Sequence, residues 1–130
     1  MAAPNIVGVT TITGITTAAA IDSVHAKVIL SNAASSSKVL KVNTILLTNM
    51  QGSTVGLATV KYHLAAGTAG AAPGAGTSIS LVNQLGISTG TAIVPMDKAS
   101  TIYLEENRSL SYQCNVADVL DILVSYDEIQ

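Results

Sequence analysis

The sequence predicts a single all-β domain, an antiparallel, jelly-roll-like β-sandwich with little helix. Apolar and polar residues alternate with a period of two along several segments, as they do in half-buried strands. Val and Ile, which favour strands, together supply 25 of the 130 residues. Short polar stretches rich in Gly, Asn and Ser separate these segments, so we expect seven to nine strands joined by turns.

Seven of the predicted strands lie between Lys38 and Asp127. The two strands on either side of the short link Ala117–Asp118 are expected to form a hairpin. The strands that flank Gln51–Thr54 are expected to form a second hairpin. The predicted strands are Lys38–Met50, Val55–Leu64, Thr77–Leu85, Thr91–Val94, Thr101–Leu104, Arg108–Val116 and Asp118–Asp127.

The first third of the chain is less regular. Residues 1–17 are Thr-rich and uncharged, and we expect an extended N-terminal arm there, with the sandwich domain at 18–130. Residues 18–30 mix helical and strand spacing. We predict a strand at Val24–Ser31 with a short helical turn before it.

The long strand Lys38–Met50 has apolar side chains on both faces. Strict alternation places Leu40, Val42, Leu46 and Met50 on one face and additional apolar residues on the other. The stretch Ala65–Thr77 holds four Gly and a Pro, a composition that is costly to order. We expect it to be a flexible loop between strands.

Composition excludes several functional classes. Six basic residues against eight acidic ones give a net charge of −2, which does not support a nucleic-acid partner. The uncharged stretch 62–96 is too rich in Gly, Ser, Thr, Asn and Pro for a membrane span, and we expect no membrane contact. A single cysteine cannot form a disulfide framework, and no secretory signal is evident.

No catalytic, metal-binding or cofactor-binding residue is predicted. The Gly-rich stretch lacks the Lys of a phosphate-binding loop. His25 and His63 are 38 residues apart, with no cysteine near either in sequence, so a zinc site is not expected. Cys114 lies on an apolar strand face, where a thiol behaves as a small buried hydrophobe. A hydrolase is disfavoured because the acids do not form a convergent acid–base pair.

Three segments resemble small virion proteins of tailed bacteriophages, especially marine and cyanobacterial phages. They are KVNTILLTNM at 41–50, STIYLEENR at 100–108 and VSYDEI at 124–129. The resemblance covers about residues 39–129 and implies a small β-sandwich with a structural role in the particle. It implies no catalytic site.

This resemblance favours a capsid decoration or cement protein that stabilises the head by bridging major capsid subunits. It implies a location on the outer surface of the capsid, with the host cytoplasm as the site during assembly. A neck, tail or fibre component is an alternative within the same class. A receptor-binding or carbohydrate-binding module is the alternative from another class, although the chain has neither Trp nor Phe to stack on sugar rings.

A thin aliphatic core suits a subunit that is stabilised by neighbours, so we predict a homo-oligomer. A trimer is favoured because decoration sites on capsids often lie on three-fold positions. The arm and the acidic clusters are the predicted contacts with other subunits or with the capsid. The acids are expected to meet lysines of a neighbour, namely Lys27, Lys38, Lys41 or Lys61. These candidate contact residues are Ile6, Val7, Val9, Ile12, Ile15, Glu105, Glu106, Asp127 and Glu128.

Overall fold

A computed structural model describes residues 9–74 and 76–130, which contain nine β-strands and one single-turn 3-10 helix at Lys98–Ser100. The prediction of an all-β sandwich with little helix is confirmed. The strands are β1 Ile12–Ala20, β2 Lys27–Asn32, β3 Val39–Asn49, β4 Gly56–His63, β5 Ser78–Ile87, β6 Ala92–Met96, β7 Ile102–Leu104, β8 Arg108–Cys114 and β9 Leu120–Ile129.

The strands form two antiparallel sheets that pack face to face. The first sheet has the order β1-β9-β3-β6, and β7 pairs with the beginning of β3 beside β6. The second sheet has the order β2-β8-β4-β5. The early strands therefore pair with the late strands in reverse order: β1 with β9, β2 with β8, β3 with β6 and β7, and β4 with β5.

Both predicted hairpins are wrong, although the strands themselves are present. The strands at 38–50 and 55–64 became β3 and β4, which lie in different sheets. The same is true of β8 and β9. A short link between two strands is compatible with a tight turn in one sheet and also with a crossing between stacked sheets, so link length alone did not decide the pairing.

The core fills the space between the sheets with aliphatic side chains. An irregularity in the pairing of β3 with β9, between Val42 and Thr44, shifts the alternation by one residue. Leu40 and Val42 are buried before it, and Ile45 and Leu47 after it. The expectation that Leu46 and Met50 share the face of Leu40 is therefore wrong, and Met50 is exposed. Other fully buried members of the core are Ile21, Val60, Ile87, Leu104, Leu110, Leu120, Ile122 and Val124.

The predicted boundary at residue 17 does not coincide with the end of an element. β1 runs from Ile12 to Ala20, so the second part of the predicted arm is an edge strand of the first sheet. Its pairing with β9 provides the backbone partners that an isolated arm would lack. The segment between Ile21 and β2 contains bends rather than the predicted helical turn.

The Gly- and Ala-rich loop after β4, for which we expect flexibility from its composition, is hydrogen-bonded to the second sheet at Gly70 and Ala71. Val28 of β2 donates its N–H to the Ala71 carbonyl at 2.8 Å and accepts from the Gly70 N–H at 2.8 Å. The loop thus pairs with the outer edge of β2. Small residues permit this close approach of two backbones.

Candidate interaction surface

Pairing register places four residues side by side on the exposed face of the first sheet. Asp127 of β9 lies between Gly14 of β1 and Lys41 of β3, and Lys41 is also opposite Tyr103 of β7. Asn43 Nδ2 donates to Asp127 Oδ2 at 3.2 Å. This row gives the surface one cation, one carboxylate and one aromatic ring.

A groove, here the arm groove, is lined by three residues of this row, Lys41, Tyr103 and Asp127. It brings together three of the predicted contact residues, Val9, Ile12 and Asp127. Ile12 is 63% exposed, which is high for a large aliphatic side chain. The full lining of the arm groove is Val9, Ile12, Lys41, Tyr103, Asp127 and Ile129.

A second groove, here the seam groove, lies where the edge of the second sheet meets β7 of the first. Tyr103 lines both grooves, so the two form one continuous surface. Ile79 and Tyr103 are 56% and 46% exposed, and contiguous exposed apolar surface of this kind marks interaction sites in soluble proteins. The lining of the seam groove is Tyr62, Ile79, Leu81, Ile102, Tyr103 and Glu105.

The other predicted contact residues have different surroundings. Ile15 alternates with the exposed residues of β1 and is half-buried opposite Tyr126. Glu105 is exposed at the seam groove. Ile6 and Val7 lie outside the described residues.

The acids Glu106 and Glu128 engage groups of their own chain. Glu106 Oε1 accepts from the backbone N–H of Ser37 at 3.1 Å, and Glu128 Oε1 lies 2.9 Å from Lys38 Nζ. Both partners belong to the loop between β2 and β3, so these carboxylates hold that loop against the sandwich. We expected both acids to contact lysines of a neighbouring subunit. The ion pair of Glu128 with Lys38 instead lies within one chain.

Lys27, another expected partner of the acids, is also paired within the chain. Its Nζ lies 2.7 Å from Asp22 Oδ1. The hydrogen bond from Lys27, with its positive charge, lowers the pKa of the Asp22 carboxyl below its ordinary value. Both side chains are solvent-exposed in part, so this pair contributes little to stability.

Two buried asparagines connect the sheets, and no sequence motif marked them. Asn32 of β2 donates through Nδ2 to the carbonyl oxygens of Lys38 and Leu104, at 2.8 and 3.0 Å. Its Oδ1 accepts from Ser36 Oγ at 2.5 Å. Asn32 therefore has partners for both amide hydrogens and for its oxygen, as a structural buried amide requires.

Asn49 of β3 plays the matching role at the opposite end of the sandwich. Its Nδ2 donates to the carbonyl oxygens of Thr54 and Ile87, at 2.8 and 2.9 Å, and its Oδ1 accepts from Gln51 N. Ile87 ends β5 in the other sheet. The two asparagines therefore join the sheets at opposite ends of the sandwich, and the seam groove lies between these sheets.

A histidine–serine pair lies on the outer face of the second sheet, close to the Gly- and Ala-rich loop. His63 Nε2 and Ser111 Oγ are 2.7 Å apart, and both residues are buried. Burial lowers the pKa of the His63 imidazole below 6.5, and the charge of Lys61 lowers it further. Ser111 is only 2% exposed, so a substrate has no direct approach to its hydroxyl.

Cys114 is fully buried, as its strand face predicted, and carries a free thiol. Among residues 9–74 and 76–130, no cluster of three or more His, Cys, Asp or Glu side chains is placed to hold a metal ion. In the same ranges no helix has the length and apolarity needed to cross a membrane.

Comparison with known proteins gives no relative. No protein-family model, curated protein or solved structure matches this chain.

Proposed function

We propose that this chain is a non-enzymatic structural protein of a tailed-bacteriophage virion. In this role it is a decoration subunit on the outside of the head, where it bridges major capsid subunits. The observation that carries the proposal is the placement of the three segments that resemble phage virion proteins. All three include strands of the first sheet, and these strands are neighbours.

The three segments meet at one end of that sheet. Residues 100–108 include β7, and residues 41–50 lie in β3 and extend one residue beyond it. Residues 124–129 form the last part of β9. Each contributes one residue to the row of Tyr103, Lys41 and Asp127. A shared structural role on an exposed surface explains why segments distant in sequence carry the resemblance together.

The connectivity also supports the proposal. Pairing of early strands with late strands in reverse order, with β6 and β7 together opposite β3, is what a jelly roll requires. Jelly rolls occur in viral capsid proteins and also in lectins, so connectivity alone does not choose the function.

The seam groove is the surface that we assign to the capsid contact. It combines exposed apolar side chains, Ile79 and Tyr103, with the carboxylate of Glu105 at its rim. An apolar centre with a polar rim is the usual anatomy of a protein–protein contact. Formation of a homo-oligomer is part of the same proposal, because neighbouring copies on a capsid share its symmetry.

Quantitative mass spectrometry of purified virions tests this proposal. A decoration subunit is present in a copy number comparable to that of the major capsid protein. A copy number that fits a single ring identifies a neck or tail component instead. Absence from the particle contradicts a virion role altogether, and binding of the isolated chain to a glycan array would then favour the carbohydrate-binding alternative.

A further inference from the structure

Sheet edges expose backbone N–H and C=O groups, and proteins usually protect them from pairing with other chains. Three of the four edges in the described sheets have such protection. The edge of β2 is paired with the loop at Gly70 and Ala71. β5 has two register irregularities and a positive φ at Gln84, and the edge opposite β1 is divided into short β6 and β7 and includes Pro95.

The remaining edge, β1, has none of these protective features. It is nine residues long, contains no charged residue and no proline, and pairs with β9 without a register shift. A long, regular and uncharged edge strand is a ready partner for another strand. This contrast with the other three edges indicates that β1 is paired in the functional state.

The hydrogen bonds at the two ends of β1 show which backbone groups are available. Thr11 and Gln130 exchange two hydrogen bonds, and Ile21 N donates to Leu120 O at 2.9 Å. Because bonding direction alternates along a strand, the odd-numbered residues of β1 bond to β9. The N–H and C=O groups of the even-numbered residues therefore point to the open edge.

We propose that β1 pairs antiparallel with β1 of a second copy, about a two-fold axis at Thr16. In this register Thr16 lies opposite Thr16 of the second copy, Gly14 opposite Ala18, and Ile12 opposite Ala20. All of these are even-numbered, so each facing pair can exchange two backbone hydrogen bonds. The two first sheets become one continuous sheet.

The exposed side chains of two β1 strands are complementary in size in this register. The even-numbered residues are all exposed; Ile12 faces the smaller Ala20, Ala18 faces the smaller Gly14, and Thr16 faces its own copy on the axis. Ala18 and Ala20 line a trough of about 510 Å³ together with Leu46 and Leu123. Ile12 of the second copy, 63% exposed in one subunit, would lie beside these two alanines and cover part of that trough.

Self-pairing also explains why β1 is the one edge left open among those of the described strands. An antiparallel pair of identical strands is isologous, so it closes after two copies and leaves no β1 edge for further growth. It is two-fold, so the trimer expected from sequence would require a contact through a different surface. The inference does not depend on the virion role proposed above.

Light scattering on the full-length chain after size-exclusion chromatography gives the first test. The expected mass is twice the 13.2 kDa of one chain, or a higher even multiple. Thr16→Lys places two ammonium groups opposite each other and should raise the dissociation constant about tenfold or more. Thr13→Lys adds the same charge to the same strand opposite Ala19 of the second copy, and it should leave association unchanged.

Cysteine cross-linking tests the register independently of charge. Residues facing each other in a hydrogen-bonded pair are about 5.5 Å apart between Cα atoms, within disulfide range. Thr16→Cys should form a covalent dimer on mild oxidation, whereas Thr13→Cys should not. A mixture of Ile12→Cys and Ala20→Cys should cross-link more than either alone, and buried Cys114 is common to all of these variants.

A monomeric wild-type chain at high micromolar concentration would overturn the proposal and leave the edge to another protein. An odd-numbered oligomer, an association insensitive to Thr16→Lys, or equal cross-linking at positions 13 and 16 would overturn it as well. If circular dichroism shows that Thr16→Lys does not fold, the cross-linking yields at positions 13 and 16 alone decide whether the proposed pairing is correct.

Discussion

Asn32 Nδ2 donates to the carbonyl oxygen of Leu104 at 3.0 Å, joining β2 of one sheet to β7 of the other. The amide is almost entirely buried, so water cannot replace it as a partner. We expect Asn32→Ala to lower the free energy of unfolding by about 2 to 3 kcal/mol, because it leaves buried carbonyl oxygens unpaired. Urea denaturation measures this change. Asn83→Ala makes the same replacement at an exposed position of β5 and should change it by less than about 0.5 kcal/mol.

The irregularity in β3 predicts losses of stability of different size at two adjacent residues. Ile45 is 1% exposed and Leu46 is half-buried on the outer face. Ile45→Ala should therefore cost about 2 to 4 kcal/mol through lost burial and a cavity, and Leu46→Ala less than about 1.5 kcal/mol. Thermal or urea unfolding of the two variants checks the assignment. A larger loss with Leu46→Ala than with Ile45→Ala would mean that strict alternation continues through Asn43.

Burial of His63 makes stability depend on pH. Its pKa in the folded chain is below the ordinary value of 6.5, so the unfolded chain binds the proton more readily. The contribution of the neutral imidazole is fully present above about pH 6.5 and is lost as the pH falls through the folded pKa. Urea unfolding at about pH 7.5 and about pH 5 should show this loss in the wild type and a smaller one in His63→Gln. His25→Gln, at an exposed site, is the control and should retain the wild-type dependence.

Attachment of the Gly- and Ala-rich loop to β2 depends on Gly67. A Cβ at this position would lie 2.9 Å from Cγ2 of Val28. Gly67→Ala should push the loop away, and hydrogen exchange of the Val28 amide, which bonds to Ala71, should become faster. Gly74→Ala has its nearest neighbouring atom at 3.9 Å and should leave that exchange rate unchanged. Unaltered exchange in Gly67→Ala would contradict the close packing.

Sequence patterns predicted most of the strands, because alternation and β-branched residues report directly on half-buried extended chain. They did not predict which strands pair, because alternation defines the two faces of a strand without identifying its sheet. The irregularity beside Asn43 reversed the assignment of Leu46, and no residue type marked it in advance. The partners of Glu106 and Glu128 lie in the loop after β2 and become visible only in three dimensions.

The candidate surface was predicted in part. Val9, Ile12 and Asp127 were chosen separately, from the arm and from the acidic end of the chain, and the structure brings them into one groove. Tyr103 was not chosen, although it connects this groove with the seam groove. A single tyrosine between Ile102 and Leu104 has the pattern of an ordinary short strand, and its importance follows only from the pairing of β7 with β3.

Occupancy of the virion by seam-groove variants tests the proposed role most directly. Tyr103→Ser should lower the copy number per particle about tenfold or more, since a central aromatic anchor carries much of the energy of an interface. Val55→Ser removes a comparably exposed apolar side chain in the link between β3 and β4 and should retain wild-type occupancy. Both variants should remain folded by circular dichroism. Full occupancy by folded Tyr103→Ser, or equal loss with Val55→Ser, would contradict attachment through this groove.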